Sequence, residues 1–147
     1  QNLSHFGFSL LILSILFNNI FSSEVITNLK VGETFKNKKF EIKFNDLKKF
    51  EEKNYVSFKG YFLIKENNSR ENLEPELRVY NQPNIITSEA DIKTTFLSDK
   101  FITMNTVQNE EYFNIRYQVK PFIFWIWFSV LLISLGGTMS LFNRKIL

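Results

Sequence analysis

PFIFWIWFSVLLISLGGTMSLF, residues Pro121–Phe142, is an unbroken apolar run. It carries no charge, opens on a cluster of aromatic side chains and is followed by Arg144 and Lys145. An uncharged apolar stretch of about 18 or more residues can cross a bilayer as a helix. A second run lies at the other end of the chain, Leu3–Phe21, LSHFGFSLLILSILFNNIF, interrupted by His5, Asn18 and Asn19. As a helix, His5–Ser22 covers about 25 Å, slightly less than the hydrocarbon core of about 30 Å. The chain opens on Gln1 with no basic segment ahead of this run. That argues against a secretory signal, whose apolar core follows a positive flank. It also makes the chain read as a piece of a longer protein with its first helix cut short.

Between the two runs the pattern changes period. Phe40, Ile42 and Phe44 alternate with Lys39, Glu41 and Lys43. Val56, Phe58, Phe62 and Ile64 repeat the alternation with Gly60 in phase, and Phe113, Ile115, Tyr117 and Val119 do so again. A period of two marks half-buried antiparallel strands. Further strands are expected at Val25–Leu29, Leu73–Tyr80 and Lys100–Asn105. Turn-like clusters stand at Val31-Gly32-Glu33, Glu52-Lys53-Asn54 and Asn67-Asn68-Ser69. The expected fold is a membrane protein. Two transmembrane helices flank an all-β extramembrane domain, an antiparallel sandwich or open barrel of about six to eight strands. The expected boundaries are helix 1–22, β domain 23–119, helix 120–142 and tail 143–147. Short basic flanks mark the cytoplasmic side, so Arg144 and Lys145 turn the β domain outward, to the periplasm or the intermembrane space.

Composition narrows the chemistry. There is no Cys, which removes disulfides, thiolate metal sites and thiol nucleophiles. A single His excludes a His-rich metal cluster. The net charge of +3 is small and its Lys residues are scattered, so no nucleic-acid surface is indicated.

His5 is the main candidate for chemistry. An ionisable group inside a membrane helix is costly and marks function by default, and imidazole is a common ligand of haem iron. The competing reading is a His at a helix end, hydrogen-bonded to a neighbouring helix or near the headgroups. Gly7 allows close approach of a helix or of a flat macrocycle. Met139 is a candidate second ligand, although Met in a membrane helix ordinarily packs. Trp125 and Trp127, with Phe122, Phe124 and Phe128, read as an interfacial aromatic belt, or else as a platform for haem or another subunit. Gly136 and Ser140 form a small-xxx-small pair that predicts tight helix contact. Glu76, Arg78 and Glu89 offer carboxylates for acid–base work, but they read better as surface ion pairs or partner contacts. Asn67-Asn68-Ser69 matches a glycosylation sequon, which in an Asn-rich chain reads as chance.

LSHFGFSLLILSI, LEPELRVY, TSEADI and KPFIFWIWFSVLLISLGG, in this order along the chain with two helices flanking the β elements, resemble the CcmF family of cytochrome c maturation proteins. Phe124 stands where a basic residue is common in that family, and Ser129 where Gly is common. The resemblance implies a haem lyase subunit of the bacterial inner membrane, or of some mitochondria. Such a subunit takes haem from the chaperone CcmE and helps attach it to the CxxCH thiols of apocytochrome c, together with CcmH-type subunits. It further implies that His5 is an axial ligand of a membrane-embedded haem b, thought to reduce the incoming haem iron. The second ligand, like the tryptophan-rich WWD segment that handles delivered haem, belongs to the remainder of CcmF, so this stretch alone is not expected to attach haem. The rival expectation is a membrane-tethered β domain that acts as a binding or assembly module without a cofactor.

Overall fold

The computed structural model describes residues 2–66, 69–107 and 111–144. Both apolar runs are helices, α1 (Asn2–Phe21) and α2 (Ile123–Arg144). Each is long and apolar enough to cross a membrane. Among the described residues ten strands lie between them: β1 (Ser23–Leu29), β2 (Thr34–Lys36), β3 (Phe40–Glu51), β4 (Tyr55–Glu66), β5 (Ser69–Leu73), β6 (Glu76–Tyr80), β7 (Ile85–Glu89), β8 (Asp91–Thr94), β9 (Ser98–Thr106) and β10 (Phe113–Pro121). The count exceeds the expected six to eight. β2, β7 and β8 are short strands without a single fully buried residue, too short and too shallow to stand out in the sequence. The stretch Leu73–Tyr80, expected as one strand, is two. Pro75 has no N–H to give to a ladder, and β4 changes partner there: Phe62–Glu66 pairs with β5 and Tyr55–Lys59 with β6.

The strands form two sheets, ordered β1-β10-β9-β8 and β2-β3-β4-β6-β7, with β5 on β4. Alternation puts Phe40, Ile42, Phe44, Phe62 and Ile64 of one sheet, and Ile102, Met104, Ile115 and Tyr117 of the other, into a common core. Each large apolar side chain buried there contributes roughly 1.5–3 kcal/mol. Phe44 stacks on Phe62 at 4.3 Å and meets Phe113 edge-on at 5.7 Å. Gly60 is required by this packing. A Cβ there would lie 2.7 Å from the Phe62 ring and 3.0 Å from the Met104 sulfur. Gly32 takes φ of 91° in the turn between β1 and β2, a conformation that glycine adopts without strain. Its N–H donates to the Phe44 carbonyl at 2.7 Å. A bulge between Phe44 and Asp46 shifts the β3 register, and beyond it the strand is mostly exposed.

One charged cluster is enclosed by this sandwich. The Lys100 ammonium on β9 lies 2.8 Å from Glu66 and 3.1 Å from Glu71, with only 10% of the Lys100 side chain exposed. Burial would depress the Lys100 pKa. Hydrogen bonds to Glu66 and Glu71 outweigh burial and raise it. The buried Tyr117 hydroxyl has no partner among the described residues. Burial first, then the Glu66 and Glu71 charges, push its pKa up.

The helices, with residues 94–99 and 119–122, form a second compact unit. They run antiparallel, with small residues along the seam: Gly7 and Ser14 on α1, Ser129 and Gly136 on α2, all buried. The Ser14 hydroxyl donates to Leu10 O at 2.7 Å and the Ser129 hydroxyl to Trp125 O at 2.6 Å. Each serine thus satisfies its polar group on its own helix and leaves a small, flat surface for the neighbour. Where α2 begins, the Asn18 amide donates to Pro121 O at 2.6 Å.

Candidate functional site

His5 lies in the first turns of α1, one residue from the seam. Ser4 faces α2, its hydroxyl donating to Ile133 O at 3.4 Å. His5, a further 100° round the helix, is exposed. Phe6, Phe8 and Ile12, also exposed, make its surroundings apolar. Its backbone carbonyl accepts from the Ser9 hydroxyl at 3.0 Å. Among the described residues no hydrogen bond reaches the imidazole, so α2 supplies no partner for it. Gly7 does not open a slot for a ligand. A Cβ there would lie 3.0 Å from Leu132 Cβ and from Ile133 Cγ1, so its small size is taken up by α2. Met139 is 61% exposed on α2, off the seam.

Gly136 fits the small-residue expectation. A Cβ there would collide with the Ser4 hydroxyl and lie 2.7 Å from its backbone nitrogen. Ser140, its expected companion, is only half-buried. Ser129 takes the buried place one heptad before Gly136, a role that its sequence position alone did not reveal.

The two tryptophans part company. Trp127 is 68% exposed, as suits an interfacial residue. Trp125 is half-buried, with Phe96 edge-on at 4.8 Å and Phe128 edge-on at 5.9 Å. Phe96 belongs to the turn between β8 and β9, where Leu97 O accepts from Phe122 N at 2.8 Å. That turn brings Asp99 beside the first turns of α2, at a cavity of about 350 Å³ lined also by Phe124, Trp127, Phe128 and Leu131. Asp99 and Phe96 were not among the candidates. A single Asp in LSDK carries no spacing signal, and only the turn's path against α2 gives it a role.

Glu76, Arg78 and Glu89 do come together, on neighbouring strands. Glu76 sits opposite Glu89 and Lys59 in register. Glu76 accepts from Arg78 at 3.1 Å and lies 3.3 Å from the Lys59 ammonium. Burial would raise the Glu76 pKa, but the hydrogen bonds from Lys59 and Arg78 outweigh it and hold the carboxyl below its ordinary value. A paired, ionised carboxylate of this kind is an ion-pair network and a poor proton donor. Among the described residues no group of three or more His, Asp or Glu side chains could hold a metal ion. The sequon asparagine Asn67 lies outside the described residues.

The model for the CcmF C-terminal beta-sandwich matches residues 20–121. The chain belongs to the CcmF family. Similar CcmF relatives include the cytochrome c-type biogenesis protein CcmF of Pseudomonas aeruginosa, 28% identical over 99% of this chain and 22% of that protein. The CcmF of Haemophilus influenzae is 28% identical over 97% of the chain and 22% of that protein. The CcmF of Escherichia coli is 26% identical, again over 97% and 22%. A solved structure described as cytochrome c heme lyase CcmF superposes with a TM-score of 0.67 at 20% identity, covering 91% of this chain and 23% of that one. At that identity the likeness carries the fold. The chain spans 22% of the length of the three CcmF relatives.

Proposed function

We propose that the chain serves cytochrome c maturation as part of a CcmF-type haem lyase, with His5 supplying one axial ligand to a haem b within the membrane. The observation that carries this reading is the single imidazole of the chain, exposed on an apolar face of α1 that α2 leaves uncovered. A neutral imidazole binds iron without burying a charge. The donor set fits a haem held from one side: His5 offers one nitrogen, and the second ligand comes from the remainder of CcmF. When bound, such a haem supplies one-electron iron chemistry. In this reading α1 positions His5 at a fixed depth, the seam through Gly7 and Gly136 keeps α1 from turning, and Phe8 and Ile12 exclude water beside the imidazole.

In this reading the two helices cross the bacterial inner membrane, or the mitochondrial inner membrane, and the short basic flank Arg144 and Lys145 supports a sandwich on the outer side. There it takes part in passing haem from holo-CcmE to the CxxCH thiols of apocytochrome c, alongside CcmH-type subunits. In the intact protein, His5→Ala is expected to abolish the b-type haem absorbance at unchanged membrane protein levels. Undiminished absorbance at normal levels would sink the ligand assignment and favour the cofactor-free assembly module.

A further inference from the structure

We propose that Asp99 and the aromatic residues at the start of α2 form a binding site for the primary ammonium of an ethanolamine phospholipid. The inference rests on the reading of α2 as a membrane-crossing helix. Asp99 is only 7% exposed, and its Oδ1 has no hydrogen-bond partner among the described residues. A buried carboxylate oxygen without a donor is costly. Asp99 lines a cavity of about 350 Å³ together with Thr94, Phe124, Trp127, Phe128 and Leu131, and among the described residues no Lys, Arg or His joins that lining. An ammonium in this cavity would bring the counter-charge that the lining does not supply.

The lining selects that ligand. One carboxylate and three aromatic rings suit a small organic cation, which gains from the ring faces as well as from the charge. A hydrogen bond to the carboxylate further requires an N–H, which a primary ammonium has and a quaternary one lacks. A lipid is the source that the position favours. Phe124, Trp127 and Phe128 occupy the first turns of α2, where aromatic residues sit at headgroup level. Leu131 and Leu135, 61% and 56% exposed, continue the same helix face along the direction an acyl chain takes.

The test equilibrates the intact protein with vesicles of ethanolamine, choline and glycerol phospholipids in equal parts. Retained lipid is then counted by native mass spectrometry. Ethanolamine lipid is expected to be retained about tenfold over either of the others, the ratio that one charge-assisted hydrogen bond supports. Asp99→Asn is expected to abolish the preference. Trp127→Ala, at a solvent-facing ring whose loss does not threaten the fold, is expected to lower ethanolamine-lipid retention severalfold with an unchanged circular dichroism spectrum. Equal retention of the three lipids by the unaltered protein overturns the proposal, as does an unchanged preference in folded Asp99→Asn or unchanged retention in Trp127→Ala. Failure of the protein to enter the vesicles overturns the membrane reading, and the site with it.

Discussion

At Gly136 a single methyl group decides how closely the two helices approach. The nearest atoms a Cβ would meet include the Ser4 backbone nitrogen, which cannot rotate away. Gly136→Ala is therefore expected to cost about 1–3 kcal/mol through overpacking. Gly137→Ala is the internal control. Nothing lies within 4 Å of a Cβ there, so the better helix former is expected to be neutral or slightly stabilising. Thermal unfolding in detergent, with cysteine cross-linking between introduced residues on α1 and α2, separates the two outcomes. This seam was half legible in the sequence. Gly136 announced itself by its spacing to Ser140, but the buried neighbour turned out to be Ser129, because helix phase and not residue type chooses the seam. His5 was legible as the chain's sole imidazole. Asp99 was not, since its burial comes from a turn packed on a helix some 24 residues further along the chain.

Elements were legible where one face is buried and the other wet. β3, β4 and β10 show this alternation, and their inward residues Phe44, Ile64 and Tyr117 are in the core. The β3 bulge and the Pro75 break were invisible to a rule that assumes an uninterrupted period. The join between β10 and α2 holds another such exception. Phe122 adopts φ of 63°, a conformation that costs an L-residue roughly 1–2 kcal/mol. Its carbonyl accepts from Ile126 N at 3.1 Å, starting the helix, while its ring lies 5.3 Å from that of Phe17. Comparing Phe122→Gly with Phe122→Ala isolates the backbone, because both lose the ring. The glycine variant is expected to be more stable by about 1 kcal/mol, read as the difference between their denaturation midpoints.

For the molecule as a whole, the response to pH follows from the groups enclosed in the sandwich. Lys100 and Tyr117 both have raised folded pKa values. The stability they contribute is complete below their unfolded values, about 10 in each case, and is lost as pH rises through the folded values. Glu76 has the opposite sign. Its contribution is present above the unfolded carboxylate value of about 4.3 and is lost as pH falls through the lowered folded one. The sandwich is thus expected to be most stable between these limits, as melting temperature against pH will display. Lys100→Met is expected to destabilise by about 3–5 kcal/mol at neutral pH, because it strands the buried Glu71 carboxylate. Combining Lys100→Met with Glu71→Gln is expected to cost much less than the sum of the two single changes, and strictly additive losses would refute the ion-pair account.

The same ammonium works as a registration pin. A strand that slips by one residue turns every side chain to the opposite face. For β9, such a slip would expel Lys100 and leave Glu66 and Glu71 without their shared counter-charge, so a misaligned pairing of the two sheets carries a charge penalty on top of its lost apolar contacts.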